Sequence, residues 1–90
     1  MMYYVYILRS KKDNKNYTGF TGNLKKRMDE HKNGKVKSTQ YRRPSELIYF
    51  EGCLDRRDAR RREIYLKTTY GKRYIKNRIK DYLIQSENIS

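Results

Sequence analysis

Two segments of the chain place ionisable side chains at positions where a helix buries apolar ones. In the first, Leu24, Arg27, Met28 and His31 follow the i, i+3, i+4, i+7 spacing of one helical face. A cationic guanidinium and the chain's single histidine would therefore share the side that faces the core. At this position the two side chains could bind a charged group or transfer a proton. Alternatively, Arg27 extends to the edge of the core and His31 is a hydrogen-bonded histidine at its rim.

A carboxylate occupies the equivalent stripe of the second segment. Ala59, Glu63, Leu66 and Tyr70 lie at i, i+4, i+7 and i+11. Burying an unpaired carboxylate is very costly. Glu63 must therefore be exposed at the end of the stripe, paired with a cation or bound to a metal. An ion pair is the simplest of the three, because five arginines surround it: Arg56, Arg57, Arg60, Arg61 and Arg62.

The composition predicts a polyanionic partner. The 90 residues carry 23 Lys and Arg against 10 Asp and Glu, a formal net charge of +13. The electrostatic field of this positive charge attracts nucleic acid. Solubility alone requires a much smaller net charge. A membrane-surface role is not expected, because the chain has no Trp and two Phe. With no long apolar run for a membrane span or secretory segment, we expect a cytoplasmic protein.

The elements that must position these residues form a small α+β domain. We predict a single domain over residues 1–85, with a frayed tail at 86–90. Its order is β-β-α-β-α-α, a three-stranded antiparallel sheet flanked by helices. The expected strands are 3–9, 16–21 and 46–51, the expected helices 24–32, 56–69 and the segment after Gly71, and 35–44 is a basic loop. Asn23 and Asp55 are the predicted N-caps, the latter in a capping box with Asp58.

The first hairpin contains features that remain ambiguous by spacing. Tyr6 and Tyr17 lie on it beside Gly19, but most of the ten tyrosines must pack the sheet or core. A glycine within a strand often marks a bulge or a close approach to the backbone. Cys53 has no cysteine partner, so we expect it to be a small buried apolar residue.

Together these residues resemble the GIY-YIG nuclease family, in its small free-standing members. The resemblance rests on Tyr4-Val5-Tyr6, Tyr17-Thr18-Gly19, Arg27, His31 and Glu63, which occur in the family's order. It extends from Tyr3 to about Leu83. The sequence departs from the pattern that names the family by having Tyr4-Val5-Tyr6 for Gly-Ile-Tyr and Thr18 for Ile, but both tyrosines are kept.

The resemblance implies a phosphodiesterase that uses one divalent metal, Mg²⁺ or Mn²⁺, held by Glu63. Arg27 would neutralise the transition state. Tyr17 or Tyr6 would accept a proton from the attacking water, and His31 would serve that relay or contact the phosphate. The expected catalytic residues are thus Tyr6, Tyr17, Arg27, His31 and Glu63.

Substrate contacts are expected on the hairpin and the basic loop. Gly19 would let the backbone approach the scissile phosphate. The other predicted substrate-binding residues, which position phosphates without reading sequence, are Lys11, Lys12, Lys15, Lys35, Lys37, Arg42 and Arg43.

We therefore expect a metal-dependent DNA endonuclease or nickase, with DNA favoured over RNA and a targeting protein as a possible further partner. The alternative is a non-catalytic module that binds DNA or structured RNA and keeps the fold. A third possibility is an RNA-associated basic protein of the ribosomal type. The sequence does not determine the oligomeric state.

Overall fold

A computed structural model describes residues 1–88. The strands are β1 (Tyr3–Ser10), β2 (Asn16–Thr21) and β3 (Ser45–Cys53). The helices are α1 (Leu24–Lys32), α2 (Arg56–Leu66), α3 (Thr69–Arg78) and α4 (Lys80–Asn88), with a short 3₁₀ helix at Gln40–Arg42. Within residues 1–88, no helix has the length and apolar composition needed to cross a membrane.

The three strands form one antiparallel sheet in the order β2-β1-β3, which confirms the predicted α+β architecture. β1 is the central strand, and its residues Val5, Tyr6, Ile7 and Leu8 are all buried. Its run of aromatic and β-branched residues is typical of a strand that is covered on both faces. The pairing of β1 with β3 is irregular between Ile7 and Leu8.

The two faces of β1 are covered by different helices. Val5 and Ile7 belong to the hydrophobic core formed with Ala59, Leu66 and Ile75 of α2 and α3. Because successive side chains of a strand point to opposite faces, Tyr6 lies on the other face, where it contacts α1. The helix pair α2 and α3 and the helix α1 therefore sandwich the sheet.

The predicted starts of the first two helices are confirmed. The Asn23 side chain accepts a hydrogen bond from the Lys26 N–H, and the Asp55 side chain accepts one from the Arg57 N–H. The predicted capping box is wrong in one respect, because the carboxylate of Asp58 is paired with Arg61 instead. Gly34, just beyond α1, has a φ of 72°, as expected of a left-handed residue that ends a helix.

The C-terminal helices differ from the prediction in where they break. α2 ends at Leu66, and Gly71 lies inside α3 rather than between helices. A Cβ at Gly71 would collide with backbone atoms of Tyr65 and Leu66, so this glycine lets α3 start tightly against the end of α2. The same break takes Tyr70 out of the α2 stripe and leaves it exposed.

The remaining helical segment is divided in two, since α3 ends at Arg78 and α4 begins at Lys80. Residues 1–88 thus contain four α-helices where the sequence predicts three. α4 extends to Asn88, so the first residues of the predicted frayed tail are helical, and residues 89 and 90 lie outside the described part of the chain.

The predicted basic loop is less featureless than its composition indicates. It contains the 3₁₀ helix, a cis peptide bond between Arg43 and Pro44, and two buried side chains, Val36 and Thr39. This loop therefore has an anchored side that faces α1 as well as a charged side in solvent. Cys53 packs against the core as expected, but it is half-buried rather than buried.

Candidate active site

Tyr6 is the centre of a buried polar cluster built by β1 and α1. Its side chain is fully buried. Its hydroxyl lies 2.8 Å from Nε2 of His31 and accepts a longer hydrogen bond, of 3.4 Å, from Nε of Arg27. The sequence predicted that Arg27 and His31 share a helical face, and the structure confirms this and places Tyr6 opposite them.

The environment of Tyr6 keeps its phenol protonated. Burial raises the pKa of Tyr6 to about 12, and the nearby Tyr17 and Glu63 add to the rise, while the hydrogen bond from Arg27 and its charge oppose it. At neutral pH the Tyr6 hydroxyl is therefore available as both donor and acceptor.

His31 is a core residue, with 2% of its surface exposed. The alternative of a rim histidine is therefore wrong. Besides Tyr6, it contacts Thr39, whose Oγ1 lies 2.7 Å from Nδ1. Burial and the charge of Arg27 lower the pKa of His31 to about 4, against a smaller opposing effect of Glu30. The imidazole is therefore neutral at pH 7.

Arg27 connects this buried cluster to the surface. Its Nε donates to Tyr6, its Nη1 lies 3.2 Å from a Glu30 carboxylate oxygen, and its side chain is 35% exposed. The hydrogen bond to Tyr6 raises the pKa of Arg27, so the guanidinium stays cationic at neutral pH. A fixed, partly exposed guanidinium is suited to contact a phosphate.

Tyr17 and Gly19 complete the same face on the neighbouring strand. The Tyr17 ring meets the His31 ring edge-on, with centroids 5.4 Å apart, and lies 6.3 Å from the Tyr6 ring. Gly19 is paired with Tyr6 across the strands, and a Cβ built there would be 2.5 Å from the Tyr6 hydroxyl oxygen. Glycine is thus required because the Tyr6 side chain crosses over this position.

Glu63 lies on α2, the helix on the other side of the sheet, and 5% of its surface is exposed. Of the three environments possible for it, the structure shows paired cations: Arg60 contacts Oε1, and the Lys67 ammonium lies 3.2 Å from Oε2. Arg60 also stacks on Phe20 of β2, 5.9 Å from its ring centroid. These contacts place the carboxylate near the β2 edge of the sheet.

Glu63 offers a single carboxylate, so a magnesium ion held there would be bound mainly by water and substrate. Within residues 1–88, no group of three or more His, Cys, Asp or Glu side chains could hold a metal by itself. Mg²⁺ commonly binds through one or two carboxylates and substrate phosphates while keeping several waters. Arg60 and Lys67 have about half of their side chains exposed, so both can move away from the carboxylate.

The predicted phosphate contacts fall into two groups. Lys15, Lys35 and Lys37 are exposed and available to a polyanion, and Lys11 and Lys12 are exposed with weak contacts to Glu46 and to the Tyr41 carbonyl. Arg42 and Arg43 have structural partners. Arg42 pairs with Asp13 at 3.4 Å, and Arg43 donates to the backbone carbonyls of Gln40 and Lys32.

The sequence did not predict the involvement of Thr39. It lies in a loop read as polar and irregular, yet it is 4% exposed and hydrogen-bonded to the site. A weak signal was present, because Val36 and Thr39 are spaced by three residues in an otherwise basic stretch, so one turn would bury both.

Sequence and structure comparisons relate the chain to known proteins. A family model described as the GIY-YIG catalytic domain matches residues 2–80. A UPF0213 protein of Clostridium perfringens is 49% identical over 67 residues, covering 73% of this chain and 71% of the relative. One from Staphylococcus haemolyticus is 45% identical over 67 residues, covering 73% and 80%. The solution NMR structure of a UPF0213 protein from Bacillus halodurans superposes with a TM-score of 0.53 and 33% identity, covering 83% of this chain and 82% of that one.

Proposed function

The chain belongs to the GIY-YIG family, and from this premise we propose that it is a metal-dependent endonuclease or nickase that hydrolyses phosphodiester bonds in DNA. The single observation that carries the proposal is the hydrogen-bonded cluster of Arg27, Tyr6 and His31, with Tyr17 against it. Such a cluster can transfer a proton and neutralise a phosphate at the same place. A protein that only binds nucleic acid does not need this combination.

In the proposed reaction, Tyr6 relays a proton rather than starting as a phenolate. Because Tyr6 is fully buried, the attacking water must enter beside the partly exposed Arg27. It gives a proton to the Tyr6 oxygen, and the Tyr6 hydroxyl proton passes to Nε2 of His31, 2.8 Å away. One O–H bond breaks and one forms at Tyr6, and the imidazole becomes an imidazolium. An approaching phosphate favours this step, because its negative charge stabilises the imidazolium.

Arg27 and Tyr17 would handle the phosphate. The N–H groups of Arg27 other than those used for Tyr6 and Glu30 can donate to the phosphoryl oxygens as their charge increases. Tyr17 is half-buried at the same face and can hydrogen-bond to the water or the phosphate. Gly19 makes room for the Tyr6 side chain, which crosses over it next to Tyr17.

Glu63 would hold the divalent cation, Mg²⁺ or Mn²⁺, after Arg60 and Lys67 turn to the incoming phosphates. When bound, the metal would stabilise the charge that develops on the leaving 3′ oxygen. The surrounding exposed cations, with the chain's net charge of +13, would supply DNA affinity that does not depend on sequence.

A second candidate function is a nucleic-acid-binding module without cleavage. It is favoured by one observation: both carboxylate oxygens of Glu63 are paired with cations, so the site that should hold metal is already neutralised. This function predicts salt-dependent binding of DNA or structured RNA and no metal-dependent products.

The deciding experiment measures cleavage of supercoiled plasmid, branched and single-stranded DNA, and RNA of matched sequence, each with Mg²⁺, with Mn²⁺ and with EDTA. The variants are Glu63→Gln and, as a matched control, Asp58→Asn, since Asp58 is an exposed carboxylate on the same helix. We expect metal-dependent nicking of DNA by the native chain and the control and none by Glu63→Gln, with equal DNA binding by all three. Binding without cleavage by the native chain would establish the module instead.

A further inference from the structure

The hydrogen-bond partners of Tyr6 determine where the protons of the cluster lie. A guanidinium can only donate, so the bond between Arg27 Nε and Tyr6 uses an oxygen lone pair of the tyrosine. The proton of the Tyr6 hydroxyl is then free to point at its second partner, Nε2 of His31. For that bond to form, Nε2 must be the unprotonated nitrogen of the ring.

The other ring nitrogen is consequently the protonated one. In a neutral imidazole one nitrogen donates and the other accepts. Nδ1 of His31 therefore donates to Oγ1 of Thr39, 2.7 Å away. The Thr39 hydroxyl in turn donates a hydrogen bond to the backbone carbonyl of Val36, at 3.5 Å. Each donor in this series of hydrogen bonds, from Arg27 through Tyr6, His31 and Thr39 to Val36, then has an acceptor.

We infer that Thr39 is a positioning residue, which holds His31 in the tautomer whose Nε2 accepts the Tyr6 hydroxyl. This inference rests on the proposed function for its catalytic meaning but not for its structural content. Thr39 is 4% exposed and belongs to the loop between α1 and β3, so this loop, besides presenting cations to a substrate, sets the direction of the proton relay.

The alternative tautomer shows why the contact between Thr39 and His31 matters. If Nε2 carried the proton, both Arg27 and His31 would donate to the Tyr6 oxygen, and the Tyr6 hydroxyl proton would lose its acceptor in a buried site. His31 could then take no proton through Tyr6. Thr39 disfavours that state because its hydroxyl hydrogen is directed to the Val36 carbonyl, which leaves its oxygen as an acceptor for a proton on Nδ1.

The test uses the fact that His31 is the only histidine in the chain, so its ring nitrogens can be observed without overlap. Nitrogen-15 NMR at pH 7 is recorded for the native chain, Thr39→Val and Thr39→Ser. Valine keeps the shape but removes the hydroxyl, and serine restores it. We expect the native chain and Thr39→Ser to show a protonated Nδ1 and an unprotonated Nε2, and Thr39→Val to move both shifts towards the other tautomer.

The same variants are then assayed for DNA cleavage, where we expect Thr39→Val to lose at least about tenfold in rate with unchanged DNA binding, and Thr39→Ser to retain most of the rate. A native His31 protonated at Nε2 overturns the inference, even if Thr39→Val does not fold. So does Thr39→Val with unchanged ring shifts. If the native chain shows the expected tautomer but cleaves nothing, the proposed function fails while the positioning role of Thr39 stands.

Discussion

The Tyr6 hydroxyl and Nε2 of His31 lie 2.8 Å apart although the residues are 25 positions apart in the chain. Their rings meet nearly at right angles, with centroids separated by 5.5 Å. Both side chains are buried, so the bond is shielded from water and is stronger than the same bond at a surface. This pair connects the first strand to the first helix, and the predictions below test what depends on it.

The buried neutral His31 should make the protein lose stability in mild acid. Its pKa is about 4 in the fold against an ordinary value of 6.5, so the unfolded chain binds a proton first as pH falls. The stability associated with the neutral His31 is fully present above pH 6.5 and is lost as the pH falls towards 4. We expect the free energy of unfolding to fall by about 2 kcal/mol between pH 6.5 and 4.5.

Urea denaturation at several pH values checks this, with His31→Gln as the non-titrating reference. The carboxylates with lowered pKa values, such as Glu51 and Asp55, lose their contribution only below their ordinary range, so they affect both chains alike. Equal pH slopes for the two chains in this window would show that His31 is not held neutral.

Gly19→Ala should damage the site directly. The added methyl would lie 2.5 Å from the Tyr6 oxygen and 3.0 Å from the Tyr17 ring, so one of these side chains must shift. We expect a loss of stability of about 1–3 kcal/mol and a fall in cleavage rate larger than any fall in DNA affinity. The matched control is Gly52→Ala in β3, whose methyl meets the flexible side chain of Met2. Similar rates for native chain and Gly19→Ala would contradict the packing described here.

Arg27→Lys should fail to preserve activity although it keeps the charge. An ammonium cannot donate to Tyr6 and Glu30 while also contacting a phosphate with a planar fork. We expect about a 10²–10³-fold loss of cleavage rate, the usual cost of removing a transition-state donor. Arg57→Lys, an exposed arginine paired with Asp55, serves as the control and should cleave normally. Full activity in Arg27→Lys would reduce the role of Arg27 to one of charge.

The exposed lysines of the loop should act through phosphate contacts alone. Lys35→Ala and Lys37→Ala are each expected to weaken DNA binding equally for all sequences and to reduce the slope of log K against log salt concentration by about 1. Fluorescence anisotropy over a range of salt concentrations measures this. Arg43→Ala, whose guanidinium is bonded to backbone carbonyls, should instead lower stability and change the slope little. A reversed pattern would assign the DNA contact to the arginine.

The sequence by itself determined the local parts of this protein. The pattern of apolar residues predicts the strands and helices, with β2 and α1 at their observed bounds. The residue types at the helix starts predict the caps at Asn23 and Asp55. Each of these features depends on side chains within a few positions of one another. The same spacing placed Arg27 and His31 on one face and Glu63 in a buried stripe. The break between the last helices was misplaced, because it depends on the close packing of Gly71 against the end of α2.

Only the tertiary structure decided how the polar residues are used. Burial by the sheet keeps His31 neutral and Tyr6 protonated, and the folded loop brings Thr39 to the imidazole. These outcomes depend on groups that are distant in the sequence and on the loss of water around them. A helical period records which side chains share a face, but it carries no information about which element will cover that face or which hydrogen-bond partner it will bring.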